Sequence, residues 1–169
     1  CSLHEQNVGT AFSINRDQGL YMTAFHCVPA TFEENAEGLP DAPRIGGKPI
    51  VIVFSSEALD IAIVKAEVKK PALRYRTALL EVGDEIGSYG FGYGRNAPIF
   101  RAGNVSAFAR DTAGIEWMMV DKGLVGGMSG GPIVDREGRV VGVNDKSDGL
   151  SGLSISIRQI ITATQFWGE

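Results

Sequence analysis

Apolar positions in this chain fall in short runs rather than in helical stripes. VGTAFSI, LYMTAF, PIVIVF, DIAIVKA, IGSYGF, NVSAFA, EWMMV, GPIVD, RVVGVN and LSISI are each long enough for one strand. They recur at roughly ten-residue intervals, the spacing of an all-β sandwich or barrel. The connectors NRDQG (15–19), EVGD (81–84), DREG (135–138) and DKSDG (145–149) read as tight turns. DREG, between GPIVD and RVVGVN, is the strongest hairpin signal. Residues 31–49, rich in Glu, Gly and Pro, read as one long surface loop. Only the end departs from this pattern: RQIITATQFW (158–167) sets Ile160, Ile161, Thr164 and Trp167 at helix-like spacing, which predicts a short terminal helix. The reading is all-β, with two halves of similar size meeting near residues 75–80.

Composition narrows this picture. The 169 residues suffice for one domain, or for two small halves sharing a cleft. With 22 glycines and 21% charged residues the chain reads as turn-rich and globular, not disordered. Its net charge is −4 and Lys69–Lys70 is its longest basic run, which argues against a nucleic-acid groove. No apolar stretch reaches membrane-spanning length and no signal-peptide pattern is present. A chain that opens on Cys1 rather than methionine is expected to be a processed product or an excised piece, with an extracytoplasmic or secreted location favoured. Two cysteines, Cys1 and Cys27, exclude a disulfide framework as the main source of stability but allow one bridge, or a modified Cys1.

Candidate chemistry sits in three segments. His4 lies in a polar stretch and reads as a solvated residue, whereas His26 ends the apolar run LYMTAF. Asp60 opens DIAIVKA, and a carboxylate entering such a strand is costly to bury without a partner. An imidazole is a suitable one, since the carboxylate then fixes its tautomer. Ser129 lies in GGMSGGP, where glycine lets backbone N–H groups converge as acyl transfer to a hydroxyl requires. Gly127 and Ser129 are placed to donate to a developing oxyanion; Gly130 and Gly131 allow close approach, and Pro132 fixes the exit. A phosphate loop would need a lysine and a following helix, but this segment runs into PIVD.

Taken in order, TAFHC (23–27), DIAIVKA (60–66) and GMSGGP (127–132) resemble the base, aspartate and nucleophile motifs of the trypsin-like, chymotrypsin-fold serine peptidases. ALLEVGDEIGSYGFG (78–92), GNVSAFAR (103–110), GGPIVDREGRVVGVN (130–144) and SGLSISI are similar to the HtrA/Deg protease domain, here without its usual PDZ module. The resemblance implies two six-stranded antiparallel barrels, about 1–77 and about 78–157, then a helix at about 158–167. It also implies a serine endopeptidase with His26, Asp60 and Ser129 as its triad, an oxyanion hole at Gly127 and Ser129, and no metal or other cofactor. Its partners would be a polypeptide substrate and a regulatory protein or a second copy of the chain.

Two departures from the family pattern carry information. Digestive members place aspartate immediately before the nucleophile, where it pairs with a newly cut N-terminus; here Met128 stands there and the chain begins Cys1-Ser2. The resemblance therefore implies no activation by that salt bridge, and loop 123–128 must be ordered by packing, substrate or a partner. Six residues before the nucleophile, where trypsin carries its recognition aspartate, stands Gly123. By the same likeness the pocket is lined by Gly123, Leu124, Val125, Val143, Asn144 and Ser154, and suits a small or medium apolar residue. Asp145 or Asp121 reaching into it would change that preference. Asp145, Lys146 and Ser147 would pair with the substrate backbone. Cys27 is expected to be a buried free thiol or the partner of Cys1. Two alternatives stand beside the active enzyme: a protease-like binding protein with a dormant or partner-activated site, and an excised viral polyprotein protease, which Asn144 opposes.

Overall fold

The computed structural model describes residues 9–28, 43–92, 97–147 and 151–168, except for the side chains of 161–164. Its first half comprises β1 (Ala11–Asn15), β2 (Leu20–Ala24), β3 (Arg44–Ile45), β4 (Lys48–Ser56) and β5 (Ile61–Ala66). They form an antiparallel sheet in the order β1-β2-β5-β4-β3. The second half comprises β6 (Glu85–Gly90), β7 (Ile99–Arg110), β8 (Glu116–Val120), β9 (Pro132–Val134), β10 (Val140–Ser147) and β11 (Gly152–Ser156). These six close into a barrel in the order β10-β11-β8-β7-β6-β9. The all-β reading therefore holds. Among the described residues the first half is a five-stranded sheet, where six strands were expected.

Alternation along the strands explains how the halves meet. On β2, Leu20 and Met22 face one way and Tyr21 the other; on β5, Ile61 and Ile63 oppose Ala62 and Val64. Both faces of this central pair are buried, so the strands read as near-continuous apolar runs. Leu20, Met22, Ile61 and Ile63 join Phe12 and Ile14 in a core shared with Val140, Val143 and Ile155 of the barrel. The barrel interior holds a separate cluster that includes Ile86, Val105, Met118, Ile133 and Val141.

Several local expectations change. Arg44–Ile45 pairs with Lys48–Pro49 across Gly46 and Gly47 (φ 55° and 78°), so the end of the supposed 31–49 loop is a hairpin. DKSDG is not a turn from its start, because β10 runs through Asp145–Ser147, pairing Lys146 with Leu153 and Ser147 with Gly152. The C-terminal helix exists as Ile157–Phe166 but is 3-10 in type, with a non-helical residue at Ile160. Ile160 is buried in the shared core, and Trp167 beyond it donates its indole N–H to the Leu73 carbonyl (2.6 Å) beside Phe12 and Tyr75. His4 lies outside the described residues.

Candidate active site

The site begins with a backbone constraint. Asp60 ends the turn after β4 with φ 52°, the only non-glycine positive φ among the described residues. Aspartate tolerates this left-handed conformation better than most side chains. The turn is held by Asp60 N–H to the Glu57 carbonyl (3.1 Å) and Leu59 N–H to Ser56 Oγ (3.3 Å). Its conformation lets Asp60 grip the 3-10 turn Phe25–Cys27, which follows β2, at three points. The Asp60 carbonyl accepts Phe25 N–H (2.9 Å), Oδ1 accepts His26 N–H (2.8 Å), and Oδ2 lies 2.6 Å from His26 Nδ1. A carboxylate there selects the tautomer that donates from Nδ1 and carries its lone pair on Nε2. Burial pushes the Asp60 carboxyl up, but hydrogen bonds from His26 and Asp145 outweigh it and hold the group below the usual carboxylate range.

Ser129 is held from the barrel side. Its loop turns at Gly127 (φ 98°) and Gly130 (φ 86°). A Cβ on Gly130 would lie 2.2 Å from the Thr10 carbonyl oxygen, and one on Gly131 2.0 Å from that of Tyr89. Glycine is thus required by packing at both positions, as the sequence led us to expect. Gly130 N–H donates to the Asn144 carbonyl and Asn144 N–H to the Gly131 carbonyl (both 2.8 Å), tying the Ser129 loop to β10. The Ser129 hydroxyl donates to the Asp145 carbonyl (2.8 Å).

Internal contacts order the residues before Ser129. Met128 is fully buried, and its Cα comes within 2.7 Å of a Cβ position on Gly90. Thr10 acts as a hub: its hydroxyl donates to the Gly127 carbonyl (2.7 Å) and accepts Phe91 N–H (2.9 Å), while its own N–H donates to the Ser129 carbonyl (2.9 Å). Its carbonyl accepts the Thr23 hydroxyl (2.7 Å). Sequence reasoning missed Thr10, which lies 117 residues from its partner Gly127 in an ordinary-looking strand start.

The residues expected to line a pocket divide into two groups. Gly123, Leu124 and Val125 are half-buried on the loop before the nucleophile. Val143 instead belongs to the shared core. Ser154 is fully buried and donates to the Met118 carbonyl (2.9 Å). Asn144 is also fully buried, accepting the Ser88 hydroxyl (3.1 Å) and donating to the Tyr89 carbonyl (3.4 Å). These three side chains brace the barrel, because their polar atoms or methyls are already engaged. Lys146 and Ser147 are exposed on the end of β10, with the Lys146 ammonium 4.5 Å from the Trp117 ring centre.

The two acidic residues that could change the pocket's preference both make internal contacts. Asp121 Oδ1 accepts Asn104 N–H (2.8 Å). Asp145 turns its buried carboxylate to His26, with Oδ1 3.6 Å from Nδ1. Burial, then the hydrogen bond and like charge of Asp60, push the Asp145 carboxyl up to about 7; His26 and Lys146 oppose this. His26, Asp60 and Asp145 are the one trio of metal-ligand types found among the described residues, their donor atoms within 4.8 Å of one another. The 2.6 Å bond already spends Nδ1 and Oδ2 on each other. Cys27 is disulfide-bonded, which corrects the free-thiol alternative, and Cys1 lies outside the described residues.

Comparison with known proteins supplies the context for this geometry. A family model described as trypsin-like peptidase domain matches residues 9–143. A probable periplasmic serine endoprotease, DegP-like, from Hahella chejuensis is 30% identical over 161 residues, covering 90% of this chain and 33% of that protein. One of the same description from Pseudomonas putida strain GB-1 is 31% identical over 162 residues, covering 90% of this chain and 32% of the relative. Among solved structures, the HtrA-type protease AlgW with a decapeptide aligns with TM-score 0.73 and 24% identity, over 94% of this chain and 50% of that one. Deg5 aligns with TM-score 0.74 and 23% identity, over 91% and 80%. The chain spans about a third of the length of the curated relatives it matches, and the solved structures share its fold. On a family match that spans most of its length, the chain belongs to the trypsin-like peptidase domain family.

Proposed function

We propose that this chain is the peptidase domain of a serine endopeptidase of HtrA/DegP type, acting through His26, Asp60 and Ser129. The observation that carries the reading is the 2.6 Å bond between His26 Nδ1 and Asp60 Oδ2, which fixes the tautomer whose Nε2 can act as base, with the His26 ring and the Ser129 hydroxyl both meeting Asp145. Rotation of the Ser129 side chain away from the Asp145 carbonyl brings its hydroxyl to Nε2, which takes the proton as Oγ attacks the scissile carbonyl carbon. The oxyanion forms between the Gly127 and Ser129 N–H groups. Collapse breaks the C–N bond, the leaving amine takes the proton from Nε2, and water hydrolyses the acyl-enzyme by the same route in reverse. Asp60 stays ionised throughout and stabilises the imidazolium.

Substrate would lie as an added strand along Asp145–Ser147. Gly123, Leu124 and Val125 would meet a small or medium apolar side chain, while Asp121 Oδ1 is bonded to Asn104 N–H and Asp145 faces His26. An extracytoplasmic location fits the periplasmic relatives and the disulfide at Cys27. A regulatory partner or a second copy would act on a loop that Thr10 and Met128 already hold. A second reading, a cleft that binds polypeptide without cleaving it, draws on the Ser129 hydroxyl bonding to Asp145 rather than to the imidazole. Profiling with a peptide library decides: cleavage after small or medium apolar residues that Ser129→Ala abolishes supports the proposal. Dominant cleavage after Arg or Lys would refute the pocket, and peptide binding with no cleavage would favour the second reading.

A further inference from the structure

The fold aims a second carboxyl group at the His26–Asp60 pair. β10 is irregular at this point: Asn144 pairs with Ser154 and Lys146 with Leu153, so Asp145 is the extra residue of a bulge. Bulges redirect a side chain relative to the regular alternation of a strand. Here the redirected side chain is 7% exposed and ends 3.6 Å from His26 Nδ1. The carboxyl oxygens of Asp60 and Asp145 and the imidazole nitrogen lie within 4.8 Å of one another. Meanwhile the main chain of the same residue receives the Ser129 hydroxyl. One residue thus touches both the nucleophile, through its carbonyl, and the base pair, through its carboxyl.

Two carboxylates this close and this buried do not both ionise freely; one holds a proton that the other accepts. Asp60 is fixed as the acceptor, because Oδ1 and Oδ2 already receive His26 N–H and Nδ1–H. We propose that Asp145 carries the shared proton and donates it to Asp60, acting as a positioning residue that orients the carboxylate under His26. The charged groups facing it are His26 from the turn after β2, Asp60 from the turn before β5, and Lys146 beside it on β10. Burial and Asp60 push this carboxyl up, while His26 and Lys146 pull the other way, leaving it near 7. The carboxyl pair then carries one negative charge below neutrality and gains a second as pH rises through that value.

Proton sharing is a property of the fold alone; its effect on rate rests on the peptidase reading above. The two are separated by working first on the Ser129→Ala protein, which needs no activity. Carboxyl-carbon NMR of aspartate-labelled protein is expected to contain a resonance that titrates near 7 and is absent from the Asp145→Asn variant. Adding Asp60→Asn is expected to lower its midpoint by at least about one pH unit, by removing the like charge. In the intact-serine enzyme, Asp145→Ala is expected to lower kcat about tenfold or more with KM little changed, and Asp145→Asn, which still donates, to restore most of it. An Asp145 carboxyl that titrates in the ordinary range, or a midpoint that ignores Asp60→Asn, overturns the proposal. Equal kcat values for Asp145→Ala and Asp145→Asn overturn its positioning role. Neutral-range titration in a protein without peptidase activity would instead leave the proton sharing standing and count against the peptidase reading.

Discussion

At Thr10 one side chain joins three segments: its hydroxyl binds Gly127 and Phe91, and its backbone binds Ser129 and Thr23. That hub, with buried Met128, ties the Ser129 loop to the sheet through internal contacts. Thr10→Val keeps the shape but leaves the Phe91 N–H and Gly127 carbonyl without their partner, a loss of about 1–3 kcal/mol. We expect a matching fall in denaturant stability and slower acylation of Ser129, with Thr10→Ser recovering both. At Asp60, the asparagine variant tolerates the positive φ but stabilises the wrong imidazole tautomer. Asp60→Asn is therefore expected to reduce kcat/KM by about three to four orders of magnitude. These residues were unequally legible. His26, Asp60 and Ser129 announce themselves because chemistry requires their types within fixed local motifs. Thr10 and Asp145 have no local signature, because their roles arise from contacts between segments far apart in the chain and from a bulge that no periodicity encodes.

Among the elements, β9 and β10 set the site because their hairpin brings the Ser129 loop, which leads into β9, and Asp145, late on β10, together at its open end. Its turn is closed by Asp135, whose Oδ1 accepts Glu137 and Arg139 N–H (both 2.9 Å) and whose Oδ2 meets the Arg139 guanidinium (2.9 Å). Such a turn is legible from DREG alone, since aspartate at that position bonds its own backbone. The C-terminal segment was only half legible. Apolar spacing predicted a helix, but burying both Ile160 and Trp167 against the shared core requires a kinked 3-10 path. Trp167 closes that path onto β1, with Gly168 N–H donating to the Ile14 carbonyl (2.7 Å). Trp167→Ala is expected to cost about 3–5 kcal/mol in urea denaturation. If the tail were ornamental, the loss would be well under about 1 kcal/mol.

For the molecule as a whole, the core shared between sheet and barrel holds His26 and Asp60 of the sheet beside Asp145 of the barrel, and pH tests how that cluster is charged. Asp60 and Asp135 are held below the ordinary carboxylate range, so the stability they contribute is present above that range and lost as pH falls through their folded values. Asp145 works in the opposite sense. With its folded value near 7 against 3.8, the native state binds the extra proton between them, so stability declines as pH rises through that window and is flat above it. Wild type is expected to be most stable at mildly acidic pH. Asp145→Asn is expected to gain a few kcal/mol at most at pH 8 relative to pH 5; equal denaturation midpoints for the two proteins at both pH values would contradict this. The central claim is that Ser129 is a nucleophile activated by His26. Intact-mass spectrometry after treatment with a fluorophosphonate tests it most directly. One adduct per chain, mapped to Ser129 and lost in both Ser129→Ala and His26→Ala, is the predicted result; an unmodified wild-type protein, or labelling that persists without His26, would contradict it.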